Sequence, residues 1–93
     1  MSINMGKYVY IVDYQSGSAD GEFNMYEGVF STRRKANDYV NEMIEMHIGD
    51  GYRLKEDSPK ALPFDFLLRF VVLTRKGRNF GTLKYRIIKL PIR

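Results

Sequence analysis

The 93-residue sequence predicts a single small α+β domain, in which a mostly antiparallel four-stranded sheet carries one helix on one face. Two observations predict this fold class. Four segments have the pattern of a strand, of which the third is apolar on both faces, and one segment between the second and third of these has apolar residues every three or four positions. The resulting ββαββ order is satisfied most simply by two hairpins that form one sheet, with the helix packed across it.

The first two strands are predicted from residues 7–14, "KYVYIVDY", and residues 23–30, "FNMYEGVF". In the first segment, strict alternation places Val12 and three tyrosines on one face, and Val9, Ile11 and Asp13 on the other. In the second, Gly28 indicates a bulge or a close backbone approach. Residues 15–22 are rich in Gly, Ser and Asp, so we expect a flexible hairpin connection there.

The helix is predicted from Thr32 to about Ile48, with Ser31 as its N-cap. One face carries apolar or aromatic residues at helical spacing, which predicts that this face packs on the sheet. Its members are Ala36, Tyr39, Val40, Met43, Ile44 and His47. A glycine of the "GDG" motif at residues 49–51 is expected to end the helix.

The second half of the chain predicts a flexible loop at residues 50–63, with one short extended piece around Tyr52 to Leu54, and then a second hairpin. Residues 64–75 are apolar on both faces, which is typical of a central strand. "KGRNFG" supplies the turn. The returning strand alternates Leu83, Tyr85 and Ile87 with Lys84, Arg86 and Ile88, and Pro91 either ends it or places it at an edge.

The composition argues against the common catalytic arrangements. The chain has no cysteine and a single histidine, His47, which lies on the apolar face of the predicted helix. A Cys–His site is therefore excluded, and the acidic residues show no spacing typical of a metal site. We predict a protein that is not an enzyme, with no metal ion and no cofactor.

Positive charge is concentrated in the last third of the chain. Residues 1–62 carry seven Lys/Arg against ten Asp/Glu, whereas residues 63–93 carry eight against one. Such asymmetry is a hint of an anionic partner, although basic residues on strands also protect sheets from aggregation. The predicted binding residues on this basic hairpin are Arg69, Arg75, Lys76, Arg78, Phe80, Lys84, Arg86 and Lys89.

A second group of cations lies at the start of the predicted helix, where Arg33, Arg34 and Lys35 follow one another. Cations are unfavourable at the positive end of the helix dipole, and backbone N–H groups there can bind anions. We interpret this group as a secondary anion-binding patch. Local pairing of Arg34 with Asp38 is the simpler alternative.

Neither of the two apolar runs of the sequence predicts a membrane segment. The apolar run after Lys7 is short, rich in tyrosine and closed by Asp13, which is unlike a signal peptide. The later run "FLLRFVVL" is interrupted by Arg69 and is too short to span a bilayer. We therefore expect a soluble cytoplasmic protein.

The segments "YVYIVDY" and "EGVFSTRRKANDYVNEM" resemble small bacteriophage-encoded and bacterial domains of unknown function. Those domains begin with a Tyr/Val strand and continue with "GVFST", a basic residue, "KA" and "YV" on a helix. Arg34 departs from that pattern, in which the position is often acidic. The resemblance covers about the first half of the chain and implies a compact α+β accessory protein.

Proteins of that type often act on a host or defence factor, so the first hypothesis is binding and modulation of such a macromolecule through protein contacts. The host cytoplasm is then the expected location. The alternative is binding of RNA or single-stranded nucleic acid by the basic hairpin. Homodimerisation through a sheet edge or face is a further possibility.

Overall fold

The computed structural model describes residues 7–18, 21–57, 60, 62, 65–76 and 81–92. These described residues contain one α-helix and five β-strands in the order ββαβββ. The elements are β1 (Tyr8–Ser18), β2 (Gly21–Phe30), α1 (Arg33–Gly49), β3 (Arg53–Glu56), β4 (Leu67–Arg75) and β5 (Gly81–Pro91).

The five strands form one antiparallel sheet with the order β2-β1-β5-β4-β3. The two predicted hairpins, β1–β2 and β4–β5, are both present. They are joined by pairing of β1 with β5, which runs from Tyr8 opposite Pro91 to Gly17 opposite Thr82. The last strand is therefore interior, and Pro91 ends it.

The prediction of four strands in ββαββ order was wrong by one strand. Residues Arg53–Glu56, predicted to belong to a loop with one short extended piece around Tyr52 to Leu54, form the edge strand β3 and pair with β4. All four of these residues are exposed, so the segment has no alternation of buried and exposed positions by which a sequence pattern could show it. Its strand conformation depends on β4.

The connection predicted at residues 15–22 is also shorter than expected, because β1 continues to Ser18 and β2 begins at Gly21. Gln15, Ser16 and Gly17 each pair with β2 on one side and with β5 on the other. The two flanking strands provide hydrogen-bond partners for the backbone N–H and C=O groups of this polar segment. Strand pairing therefore overrides its turn-like composition.

Helix α1 begins one residue later than predicted, and its N-cap is Thr32 instead of Ser31. The Thr32 hydroxyl accepts a hydrogen bond from the backbone N–H of Lys35 at 3.1 Å. At the other end, the N–H of Asp50 donates to the carbonyl of His47 at 3.0 Å, and Gly51 follows with a positive φ of 95°. The expectation that the "GDG" motif ends the helix is confirmed.

The hydrophobic core lies between α1 and one face of the sheet. Alternation within β1 and β5 directs their buried side chains to this face, as predicted. The buried members are Val12, Ala36, Val40, Ile44, Val71, Leu73, Leu83, Tyr85 and Ile87.

A bulge interrupts the β1–β2 hairpin beside Gly28, because Val12 pairs with Gly28 and Asp13 with Tyr26, which leaves Glu27 without an opposite residue. A Cβ atom at Gly28 would lie 3.0 Å from the Phe30 ring. Both features expected of Gly28, a bulge and a close approach, are present.

Candidate functional site

The face of the sheet opposite α1, here called the open face, is the candidate site. The only α-helix among the described residues packs on the other face. Because residues opposite one another in an antiparallel pair share a face, the strand registers arrange the open face in rows that cross the sheet. These rows change from apolar at one end to basic at the other.

The apolar end consists of two neighbouring rows, here called the apolar block. In the first row Val9 lies opposite Leu90, and in the second Ile11 lies between Val29 and Ile88. Val29 is 65% exposed and Leu90 41% exposed. The members of the apolar block are Val9, Ile11, Val29, Leu67, Ile88 and Leu90.

The middle row contains an ion pair across β1 and β5. Arg86 lies opposite Asp13, and its Nε donates to the two carboxylate oxygens at 3.0 and 3.1 Å. Phe70, half-buried, lies beside Arg86 on β4. The charges of Arg86 and Asp13 offset each other, so this row adds no net charge to the open face.

The other end of the open face is basic. Val72 on β4 lies between Lys84 on β5 and Lys55 on β3, and Arg53 is two residues from Lys55 along β3. Among the described residues, no side chain forms a hydrogen bond or an ion pair with these three cations. We call Arg53, Lys55 and Lys84 the basic end.

Arg69, predicted as a binding residue, lies on the helix side of the sheet and connects three elements. Its guanidinium donates to both carboxylate oxygens of Glu56 at 2.6 and 3.0 Å. It also donates to the side-chain oxygens of Asn41 at 2.8 Å and Asn37 at 3.2 Å. Arg69 therefore joins β4 to the edge strand β3 and to α1.

Two further predicted binding residues stack on tyrosines on the helix side. The Arg75 guanidinium lies 4.6 Å from the centre of the Tyr52 ring and donates to the Asp50 carbonyl. The Lys89 amine lies 4.7 Å from the centre of the Tyr8 ring. Both contacts are cation–π interactions, in which the ring face attracts the charge.

The remaining predicted binding residues do not all lie on one surface. Lys84 and Arg86 share the open face, Lys76 is exposed just after β4, and Arg78 and Phe80 lie outside the described residues. The structure thus does not bring the predicted basic residues into one strip. Arg53 and Lys55 complete the basic end, and sequence reasoning missed them because β3 itself was missed.

The secondary patch at the helix start is exposed, and only part of it borders a cavity. A cavity of about 540 Å³ is lined by residues 7–10, residues 31–33 and Ile92. Arg33 contributes to its wall, whereas Lys35 approaches the Ser31 hydroxyl at 3.5 Å. The three cations therefore do not converge on the cavity.

His47 and Tyr85 form a polar contact on the helix side, with the Nε2 and hydroxyl oxygen atoms 2.9 Å apart. Tyr85 also packs on Tyr14, with ring centres 5.0 Å apart. Burial lowers the pKa of His47, although nearby Asp50 opposes that shift, and burial raises the pKa of the Tyr85 hydroxyl. These aromatic rings are part of the packing between α1 and the sheet.

In the described part of the chain, no three His, Asp or Glu side chains are placed to hold a metal ion. Nor does this part contain a helix with both the length and the apolar character needed to cross a membrane. Comparisons with protein-family models, with curated proteins and with solved structures found no match to the chain.

Proposed function

We propose that this chain is a non-enzymatic binding protein that modulates another macromolecule through protein contacts made by the open face. The apolar block carries the proposal, since it exposes contiguous aliphatic side chains on a sheet face that has no helix over it among the described residues. Contiguous apolar surface is typical of interaction sites.

The dimensions of the open face suit a small protein interface. Five strands spaced about 4.8 Å apart give a width of about 19 Å, and eight residue steps along β5 give about 27 Å. The face therefore covers about 500 Å² between Cα positions, somewhat below the ~800 Å² that each partner buries in a standard complex. Loops at its margins would supply the difference, and a transient complex needs less.

The resemblance of the N-terminal half to phage-encoded domains supports a narrower version of this proposal. In that version the bound protein belongs to a host cell or to its defence system, and binding inhibits or redirects it. This step rests on analogy between sequences, whereas the location of the binding surface rests on the geometry of the sheet.

Binding of RNA or single-stranded nucleic acid is the second candidate, and the basic end favours it because three cations there can neutralise phosphates. Two aromatic residues take strand positions on the open face in the described part of the chain, Tyr26 opposite Asp13 on β2 and Phe70 opposite Arg86 on β4. Tyr10, Tyr14 and Tyr85 pack against the core on the helix side, and Phe70 is half-buried. Stacking on aromatic rings provides much of the affinity for single strands, but the apolar block is larger than the pair of Tyr26 and Phe70, so the protein partner is preferred.

The test compares Val29→Asp with Ile48→Asp. Both substitutions place a carboxylate at an exposed aliphatic position, 65% exposed for Val29 and 49% exposed for Ile48, but only Val29 lies in the apolar block. Partners captured from nuclease-treated host lysate would be identified by mass spectrometry, purified and titrated against each variant.

We expect at least tenfold weaker binding for Val29→Asp and unchanged binding for Ile48→Asp. Equal affinity for both variants, or loss of every partner on nuclease treatment, would refute the proposed function. Sedimentation at two protein concentrations separates a homodimer from a complex with a different protein.

A further inference from the structure

We propose that the protein segment bound by the open face is amphipathic and acidic, with an apolar part over the apolar block and carboxylates over Arg53, Lys55 and Lys84. This inference rests on the proposed function and adds the chemistry of the partner. It follows from the distribution of charge on the open face and from the distances between its two ends.

The charge on the described open face is unbalanced. Arg86 is paired with Asp13, and among the described residues no acidic side chain forms an ion pair with the three cations of the basic end. The acidic position in the row of Arg53 is Glu22 on β2, four strands away. Lys84 is already half-buried beside Val72. A purely apolar partner would remove the remaining water from the Lys84 ammonium group and supply no hydrogen bonds in its place, which costs free energy. A basic partner would be repelled by the three cations.

The distance between the apolar block and the basic end determines how far apart the apolar and acidic residues of the partner must be. Ile88 of the apolar block and Lys84 of the basic end are four residues apart on β5, which corresponds to about 13 Å. A helical partner covers that distance in about nine residues, and an extended partner in about four. Lys84 and Lys55 lie on opposite sides of Val72, about 10 Å apart, so carboxylates are required on both flanks of the segment.

A second copy of this chain fits the open face poorly. If two copies stacked along their full faces with the same ends in contact, the two basic ends would repel each other. If only the apolar blocks met, the contact would be a fraction of the ~800 Å² per partner found in stable complexes. An amphipathic, acidic segment of another protein can cover the apolar block with apolar residues and pair with the basic end through its carboxylates.

The test is selection of binders from a display library of random 16-residue peptides on the full chain. Two double variants are compared with the wild-type chain. The basic-end variant, Lys55→Gln/Lys84→Gln, removes the two cations on either side of Val72. The matched control, Met46→Glu/Ile48→Glu, makes the same change in net charge at two exposed positions of α1 on the helix side. Circular dichroism verifies that each variant is folded.

We expect the selected peptides to combine apolar residues with acidic residues about nine helical or four extended positions away. They should bind the control variant as they bind the wild-type chain, and the basic-end variant at least tenfold more weakly. In NMR titrations, the peptides should shift backbone amide signals of β1, β4 and β5 residues of the open face.

The other outcomes overturn the inference in distinguishable ways. Neutral or basic peptides that shift open-face amides would refute the acidic partner and leave the proposed function standing. If no peptide is selected, or if the peptides shift amides elsewhere, both proposals fail. Oligouridylate that shifts open-face amides in a salt-dependent manner, with no binding of acidic peptides, would show a nucleic-acid surface instead.

Discussion

Replacing Arg69 with methionine should destabilise the fold by loosening the contacts of β4 with β3 and α1. Methionine keeps much of the aliphatic volume of the arginine stem and removes the guanidinium. The substitution therefore isolates the hydrogen bonds to Glu56, Asn37 and Asn41. Sequence reasoning assigned Arg69 to a binding surface, whereas the structure places it between β4, β3 and α1.

The expected loss follows from the exposure of the partners. The Arg69 side chain is 17% exposed and that of Glu56 is 31% exposed, so the ion pair is partly screened and contributes about 1 kcal/mol at most. The two bonds to asparagine oxygens each contribute about 0.5–1 kcal/mol, because water can reach part of these side chains. The sum is about 2 kcal/mol, which in a domain of this size lowers the melting temperature by roughly 8–16 °C.

Urea denaturation followed by circular dichroism measures this loss, and Arg34→Met, at an exposed arginine of α1, is the control. Arg69→Lys should recover only part of the stability, since an ammonium group cannot reproduce the planar guanidinium group that donates hydrogen bonds to three side chains. A loss below about 0.5 kcal/mol for Arg69→Met, the usual range for surface substitutions, would refute the role in stability.

Two other predictions concern the end of α1 and its contact with β5. Gly51→Ala should cost about 1–2 kcal/mol in urea denaturation because φ is 95°, whereas Gly49→Ala, with nothing within 4 Å of its new Cβ, should be neutral or stabilising. Stability losses of equal size at both glycines would argue against strain at residue 51. Since burial lowers the pKa of His47, protonation favours the unfolded chain, and the free energy of unfolding should fall as the pH drops below 6.5. His47→Gln should reduce this dependence, and an NMR titration midpoint of His47 above 6.5 would contradict the reasoning.

The faces of individual strands could be predicted from the sequence because alternation is a local property. In β5, Leu83 and Ile87 lie on the face opposite Lys84 as predicted, and both are buried. Helix α1 was predicted to within one residue at each end. Each of these features depends on spacing within one segment of the chain.

The arrangement of the basic residues could not be predicted in the same way, because it depends on register between strands. Arg69 lies opposite Ile87, whereas Lys84 lies opposite Val72, so Arg69 and Lys84 project to different faces. A register irregularity between Leu67 and Arg69 changes the alternation at the start of β4. No local pattern in the sequence contains this information.

The edge strand β3 was missed for a related reason. Its side chains are exposed, and pairing with β4 together with the Arg69–Glu56 contact holds it against the sheet. A short charged edge strand of this kind also protects a sheet from pairing with other chains. The residues that complete the basic end were therefore visible only after the fold was known.

The position of β5 has a consequence for how the chain folds during synthesis. This strand is the last in the sequence and is inserted between β1 and β4 in the finished sheet. It supplies Leu83, Tyr85 and Ile87 to the core. Until β5 emerges from the ribosome, the β1–β2 hairpin has an unpaired inner edge and α1 lacks much of the surface on which it packs. Such late, long-range pairing slows folding and leaves strand edges exposed until β5 has been synthesised.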